Sequence, residues 1–263
     1  MLPTRSGINV IYSSDKLPEL KSPYLICGFP GSGYVGKMAV DHMIEELRAE
    51  HLADIYSTSF PPQVLIRSDG TADLMKNTIF YSKSSSGTNL LLLTGDSQPA
   101  NPDSEYLLAE EIMDIATKFN TSHVFTLAAY ITGVFVEKPR IFGTATDTDT
   151  IRSFSESNIS TMDGGSITGM NGLIIGTAKL RGVRGTCLLG ETSGYVVDAK
   201  ASKSILETLL KIVGINIDMK NLEKRAKDTE MLIQTIEQQM AGRIGQPQQQ
   251  GGTTRPSAMG YIS

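Results

Sequence analysis

Four short runs of apolar residues constrain this chain more than any other feature: 24–27 (YLIC), 90–93 (LLLL), 124–129 (VFTLAA) and 186–189 (TCLL). Each is too brief for a buried helix, and each is closed by glycine or polar residues. Unbroken apolar character without alternation marks strands covered on both faces, as parallel strands are in a helix-flanked sheet. Segments of helical period supply the cover. Residues 34–50 put Val35, Ala39, Met43, Ile44 and Leu47 on one stripe, with Lys37, Asp41, Glu45 and Arg48 elsewhere. Residues 104–118, with a capping-type Asp103 or Ser104, carry Leu107, Leu108, Ile112 and Ile115, and 200–213 carry Ile205, Leu209 and Ile212. The stretch 55–83, containing Pro61 and Pro62, reads as additional strands, partly at the sheet edge. The expected fold is a three-layer α/β/α sandwich with a mostly parallel central sheet.

The first run opens a denser pattern. Residues 24–40, YLICGFPGSGYVGKMAV, read as a buried strand, a glycine-dense turn and the start of a helix, an arrangement that puts backbone N–H groups where they could hold phosphate. Gly31, Gly33 and Gly36 satisfy G-x-G-x-x-G, and Gly31, Ser32, Gly36 and Lys37 fall within the first seven positions of a phosphate-binding loop. The eighth position is Met38, and a thioether is a poor ligand for magnesium. The acid expected about 20 residues on, at the end of a second strand, would be Asp54, which instead precedes the apolar stretch 55–60. After the strand at 90–93, Thr94 and Gly95 intervene before Asp96. Two readings stand: an anion site, or glycines that let a helix sit close to its strand.

A second glycine series, Gly165, Gly169, Gly172 and Gly176, has spacings of four, three and four. On a helix these line one face, and each glycine costs about 1 kcal/mol against alanine there, so the stripe implies close approach of the sheet, a partner helix or a ligand. From 218 to 240, Met219, Leu222, Ala226, Thr229, Ile233, Ile236 and Met240 recur in steps of three and four, either a coiled-coil seam or a helix packed on its own domain. Residues 241–263 contain five glycines, four glutamines, two prolines and no acid, a composition expected to be disordered. The last five residues regain Met259, Tyr261 and Ile262 before Ser263. An aromatic followed by a carboxylate suits insertion into a partner's pocket, although an ordinary frayed terminus has the same look. The expected organisation is a core at 1–217, a helix at 218–240 and a tail at 241–263.

Chemistry is harder to place. Lys plus Arg number 24 against 28 Asp plus Glu, with no basic run, so nucleic acid is not an expected partner. No window approaches 18 uninterrupted apolar residues, which predicts a soluble, cytoplasmic protein with no membrane partner. Cys27 and Cys187 lie in apolar runs, as buried structural thiols do. G-x-S-x-G does not occur, and His42, His51 and His123 lack metal-ligand spacing, so neither a metal nor another cofactor is expected. The acid pairs Glu45–Glu46 and Glu110–Glu111 point to different parts of a helix face. Glu191, directly after the strand at 186–189, is the acid or base to suspect in an enzyme, because parallel sheets bind ligands at the C-terminal ends of their strands.

The segments GFPGSGYVGKMAVDHMIEEL (28–47) and ITGMNGLIIGTAKLRGVRGTCLLGETSGY (167–195), with the order of elements between them, resemble the proteasome assembly chaperone 2 family, particularly its archaeal members. The resemblance covers about residues 5 to 240. It implies a fold similar to the nucleoside phosphorylase type without the catalytic residues, used as a protein-binding scaffold. It also implies a homo-oligomeric, non-enzymatic partner of 20S proteasome α subunits, assisting assembly or opening the gate without ATP. Proteasome activators of several families end in hydrophobic-tyrosine-any residue. Here Tyr261 is third from the end, preceded by Gly260, so the register departs from that pattern. The alternative class is a small-molecule or nucleotide-handling enzyme that uses 31–37 for an anion.

Overall fold

The computed structural model describes residues 7–83 and 87–244. Along the chain run β1 (Ile8–Tyr12), β2 (Tyr24–Gly28), α1 (Val35–Glu46), β3 (Glu50–Ser57), β4 (Val64–Ile66), β5 (Ala72–Leu74), β6 (Asn77–Lys83), β7 (Asn89–Gly95) and α2 (Pro102–Lys118). They are followed by β8 (His123–Ile131), β9 (Ile141–Ala145), α3 (Thr148–Ser153), β10 (Ile159–Thr161), α4 (Gly169–Leu180), β11 (Arg184–Thr192), α5 (Ala199–Val213) and α6 (Lys220–Ile244). Among the described residues no helix is long and apolar enough to cross a membrane.

The four apolar runs become β2, β7, β8 and β11, and they lie side by side, parallel, at the centre of a nine-stranded sheet. Their lack of alternation has the expected cause. Leu90 and Leu92 face the layer of α1, α5 and α6, while Leu91 and Leu93 face that of α2 and α4, and all four are buried. Antiparallel strands flank this centre: β6, β3 and β1 on one side, and β9 on the other with β10 parallel to it. The sheet is therefore mixed beyond its core. The pair β4 and β5 forms a separate ribbon.

Three boundaries differ from the sequence reading. The first helix stops at Glu46, where Arg48 adopts φ 47° and the Leu47 N–H reaches back to Met43 O; no glycine or proline marks this stop, so periodicity overran it. The cap of α2 is Asn101, whose side chain accepts from Ser104 N at 3.0 Å, with Pro102 at the first helical position, rather than Asp103 or Ser104. Asp54 lies inside β3, where it accepts from Lys76 Nζ at 2.7 Å, Thr78 Oγ1 at 2.9 Å and His51 Nε2 at 3.0 Å. Burial works to raise its pKa, but those partners outweigh it and hold the carboxyl below its ordinary value.

The heptad stripe packs on the protein's own domain as far as Ile233. Leu222, Ala226, Thr229 and Ile233 are buried, α6 runs against α5, and Thr229 Oγ1 accepts from Ala199 N at 3.4 Å. The tail, with Met259, Tyr261, Ile262 and Ser263, lies outside the described residues.

Candidate functional site

The glycine turn joins β2 to α1 at the C-terminal end of the parallel strands. Ser32–Tyr34 makes a single 3-10 turn, with Tyr34 N donating to Gly31 O at 2.9 Å, and both Gly33 (φ 63°) and Tyr34 (φ 53°) are left-handed. A Cβ at Gly36 would stand 1.9 Å from Leu127 O in β8, and one at Gly28 would stand 2.3 Å from Gly36 O. Helix α1 therefore touches the sheet backbone to backbone, and only glycine permits it.

Lys37 does not reach the turn it follows. Its ammonium donates to Thr94 Oγ1 at 3.1 Å and pairs with Asp41 Oδ2 at 3.0 Å, while Thr94 donates to Asp41 Oδ1 at 2.5 Å. A lysine neutralised within its own helix has little charge left to offer a phosphate.

A cavity of about 750 Å³ opens between this turn and residues 166–171, over the ends of β2, β8 and β11. Phe29, Val35, Leu127 and Leu189 contribute apolar lining, and Ser32 and Glu105 polar lining. Gln98 holds the two walls together: its Nε2 donates to Pro30 O at 2.8 Å and its Oε1 accepts from Met170 N at 3.0 Å. No lysine, arginine or histidine is among the described residues that line the cavity, and the Glu105 carboxylate opposes an anion. Residues 31–36 thus border a real cleft, but its charge is the wrong sign for phosphate.

The second glycine series does not form one helical face. Gly165 lies in the loop at φ 94°, Gly169 opens α4 at φ 71° against the Gln98 amide, and Gly172 closes on Ile167 O, 2.0 Å from where a Cβ would stand. Gly176 meets nothing within 4 Å. Of the four only Gly169 lines this cavity, and the series cannot share a helical face because α4 begins at Gly169, after Gly165.

Glu191 is buried at the end of β11, yet it does not line the cavity. Arg140 grips it: Nε donates to Oε2 at 2.9 Å, Nη2 to Oε1 at 2.9 Å and the backbone N to Oε2 at 3.1 Å. The guanidinium holds this carboxyl below the usual carboxylate range, against the effect of burial, so it is a poor proton donor or acceptor near neutrality. The acid or base suspected for an enzyme is thus ion-paired with Arg140 in this fold. Burial also pushes the Cys187 thiol up to about 12 and the Cys27 thiol higher still. His42 Nε2 donates to Asp218 O at 2.8 Å, and His123 bonds Thr186 Oγ1 at 2.8 Å. No group of three His, Cys, Asp or Glu side chains among the described residues is placed to hold a metal ion. Sequence reasoning missed Gln98 and Arg140; the position of Gln98 just past the end of a parallel strand was the available signal, and Arg140 had none.

Fold and site together define a class: an α/β/α sandwich whose strand-end cleft is bordered by a glycine turn and whose conspicuous charged groups are spent on one another. The chain belongs to the PAC2 family, which matches it over residues 25–237. It is 36% identical over 221 residues to an uncharacterized protein of Methanocaldococcus jannaschii, covering 84% of this chain and 85% of that protein. Among solved structures it is similar to Pyrococcus furiosus PbaB, an archaeal proteasome activator, with 36% identity, a TM-score of 0.82 and coverage of 88% of this chain and 99% of that one. It is also similar to P. furiosus PbaA, an archaeal homolog of proteasome-assembly chaperone, with 26% identity, a TM-score of 0.73 and coverage of 90% and 94%.

Proposed function

We propose that this protein is a non-enzymatic partner of the 20S proteasome, acting in the cytoplasm as an assembly chaperone or ATP-independent activator. It binds the α-ring as a homo-oligomer, with Met259, Tyr261, Ile262 and the Ser263 carboxylate reaching a pocket between α subunits. The observation that carries this reading is the 36% identity to PbaB over nearly all of both chains. The site supports it as well. Lys37 and Glu191, the groups an enzyme would use, are paired with Asp41 and Arg140. In the anion loop of the alternative enzyme reading, 31–37, Gly31, Ser32 and Gly36 border a cleft with no cation among its described lining residues, and Lys37 turns away from it.

The test is co-sedimentation with the 20S core particle of the same source, comparing the full chain, a truncation after Met240 and removal of the last three residues. Full-length binding that is lost in both shortened forms is the expected result. Binding kept by the forms without the tail moves the contact to the folded domain, and failure of the full chain to bind overturns the proposal.

A further inference from the structure

At the end of the parallel strands opposite the glycine turn, β2, β8 and β11 begin with Tyr24, His123 and Arg184. The registers Tyr24↔His123 and His123↔Arg184 set these side chains in one row on one face of the sheet, with roots about 4.8 Å apart. All three line a cavity of about 190 Å³, together with Phe125 and Thr186 two residues further along the same face. His123 is buried, stacks on Phe125 with ring centroids 4.3 Å apart, and bonds Thr186 Oγ1 through Nε2 at 2.8 Å. Its Nδ1 has no partner among the described residues. That atom is not sealed off, because the enclosed side-chain atoms left without a partner among those residues are Thr121 Oγ1 and Asn171 Oδ1. Arg184 is exposed and makes no hydrogen bond or ion pair with a described residue. The Asp147 carboxylate lies close enough to act on both groups but is engaged as the cap of α3, accepting from Thr150 N at 2.8 Å and Thr150 Oγ1 at 2.9 Å.

We propose that this cavity binds a small monocarboxylic acid with an apolar body, its carboxylate held by the Arg184 guanidinium and the His123 ring. The site is separate from the strand-end cleft and independent of the proteasome reading. A guanidinium presents parallel N–H donors that fit a carboxylate two at a time, and those of Arg184 are unspent. With Nε2 accepting from the Thr186 hydroxyl, the His123 Nδ1–H is a further donor to the same group. Burial lowers the His123 pKa to about 4, so near neutrality the ring is uncharged and Arg184 is the one charged residue of the lining, a match for a single negative charge. Phe125, Phe154 and Ile159 add apolar lining, which an organic acid can cover and inorganic phosphate cannot. At about 30 Å³ per water-sized group the cavity holds about six, the number of heavy atoms in butyrate.

The experiment is a titration of the full chain with sodium butyrate at neutral pH, read from the imidazole NMR signals of His123, which are those missing from His123→Gln. Butyramide, which has the same shape without the charge, and inorganic phosphate are titrated alongside at matched ionic strength. Butyrate is expected to move the His123 signals saturably, with butyramide and phosphate weaker by at least about tenfold. Arg184→Gln, at an exposed position that leaves the core untouched, is expected to raise the butyrate dissociation constant at least about tenfold. Signals that butyrate does not move, or an Arg184→Gln variant that binds as the parent does, overturn the proposal. Butyramide binding as well as butyrate removes the charge pairing, and phosphate binding as well removes the carboxylic acid in favour of a general anion; either result overturns it too. If Arg184→Gln does not fold, the comparison of butyrate with butyramide on the parent decides.

Discussion

Replacing Gly36 by alanine tests whether the glycine turn is a packing device. The added Cβ would stand 1.9 Å from Leu127 O, whereas real Cβ atoms keep at least 3.0 Å, so α1 must retreat from β8 by about 1.1 Å. The helix buries Val35, Val40 and Met43, each contributing roughly 2 kcal/mol. A gap of that size forfeits a quarter to a half of their contact energy, about 1.5–3 kcal/mol. Crowding adds about 1–3 kcal/mol, and alanine returns about 1 kcal/mol of helix propensity. The net loss is about 2–5 kcal/mol, or roughly 5–15 °C in melting temperature for a chain of this size. Gly176→Ala is the control, because that position is open and only the propensity remains, stabilising by about 1 kcal/mol. Thermal unfolding followed by circular dichroism reads both. If Gly36→Ala melts within about 2 °C of the parent, the backbone contact is not what glycine is kept for and the anion reading regains its place.

Three further outcomes follow from the charged groups. Arg140→Met leaves a buried carboxylate without its main partner and should lower the melting temperature by several degrees at pH 7; because the pairing holds the Glu191 pKa down, its stabilisation is present above the unfolded carboxylate range and lost as pH falls, so parent and variant should converge near pH 3, and a pH-independent difference counts against the pairing. Burial lowers His123 to about 4 from 6.5, so stability should be full above 6.5 and fall by about 3 kcal/mol as pH drops through 4, a limb that His123→Gln should flatten in urea titrations at stepped pH. Nucleotides or phosphate at millimolar concentration should leave the melting temperature unchanged, whereas a ligand at 100 times its dissociation constant would add about 2.7 kcal/mol, so a clear upward shift contradicts the absence of a cation in the cleft.

The core architecture was legible in the sequence because it depends on local pattern. Strands buried on both faces must be apolar throughout, so 24–27, 90–93, 124–129 and 186–189 declared themselves, and the helical stripes declared the layers that cover them. The antiparallel flanks were less legible, since β3 follows α1 after a turn at Arg48 that no glycine or proline announces. For the site, the sequence located the glycine turn and Glu191 but not what they do. An identical G-x-G-x-x-G can face a ligand or a strand, and only the position of Leu127 O against Gly36 decides which. Lys37 could have pointed at the turn; Asp41 and Thr94, one turn along the helix and 57 residues away, draw it off. Arg140 meets Glu191 across 51 residues, and that meeting turns a candidate acid–base group into a fixed charge pair. Periodicity is a property of neighbours along the chain, and the sequence determined whatever rests on it. Charge pairing and close approach are properties of neighbours in space, and those the tertiary structure alone decided.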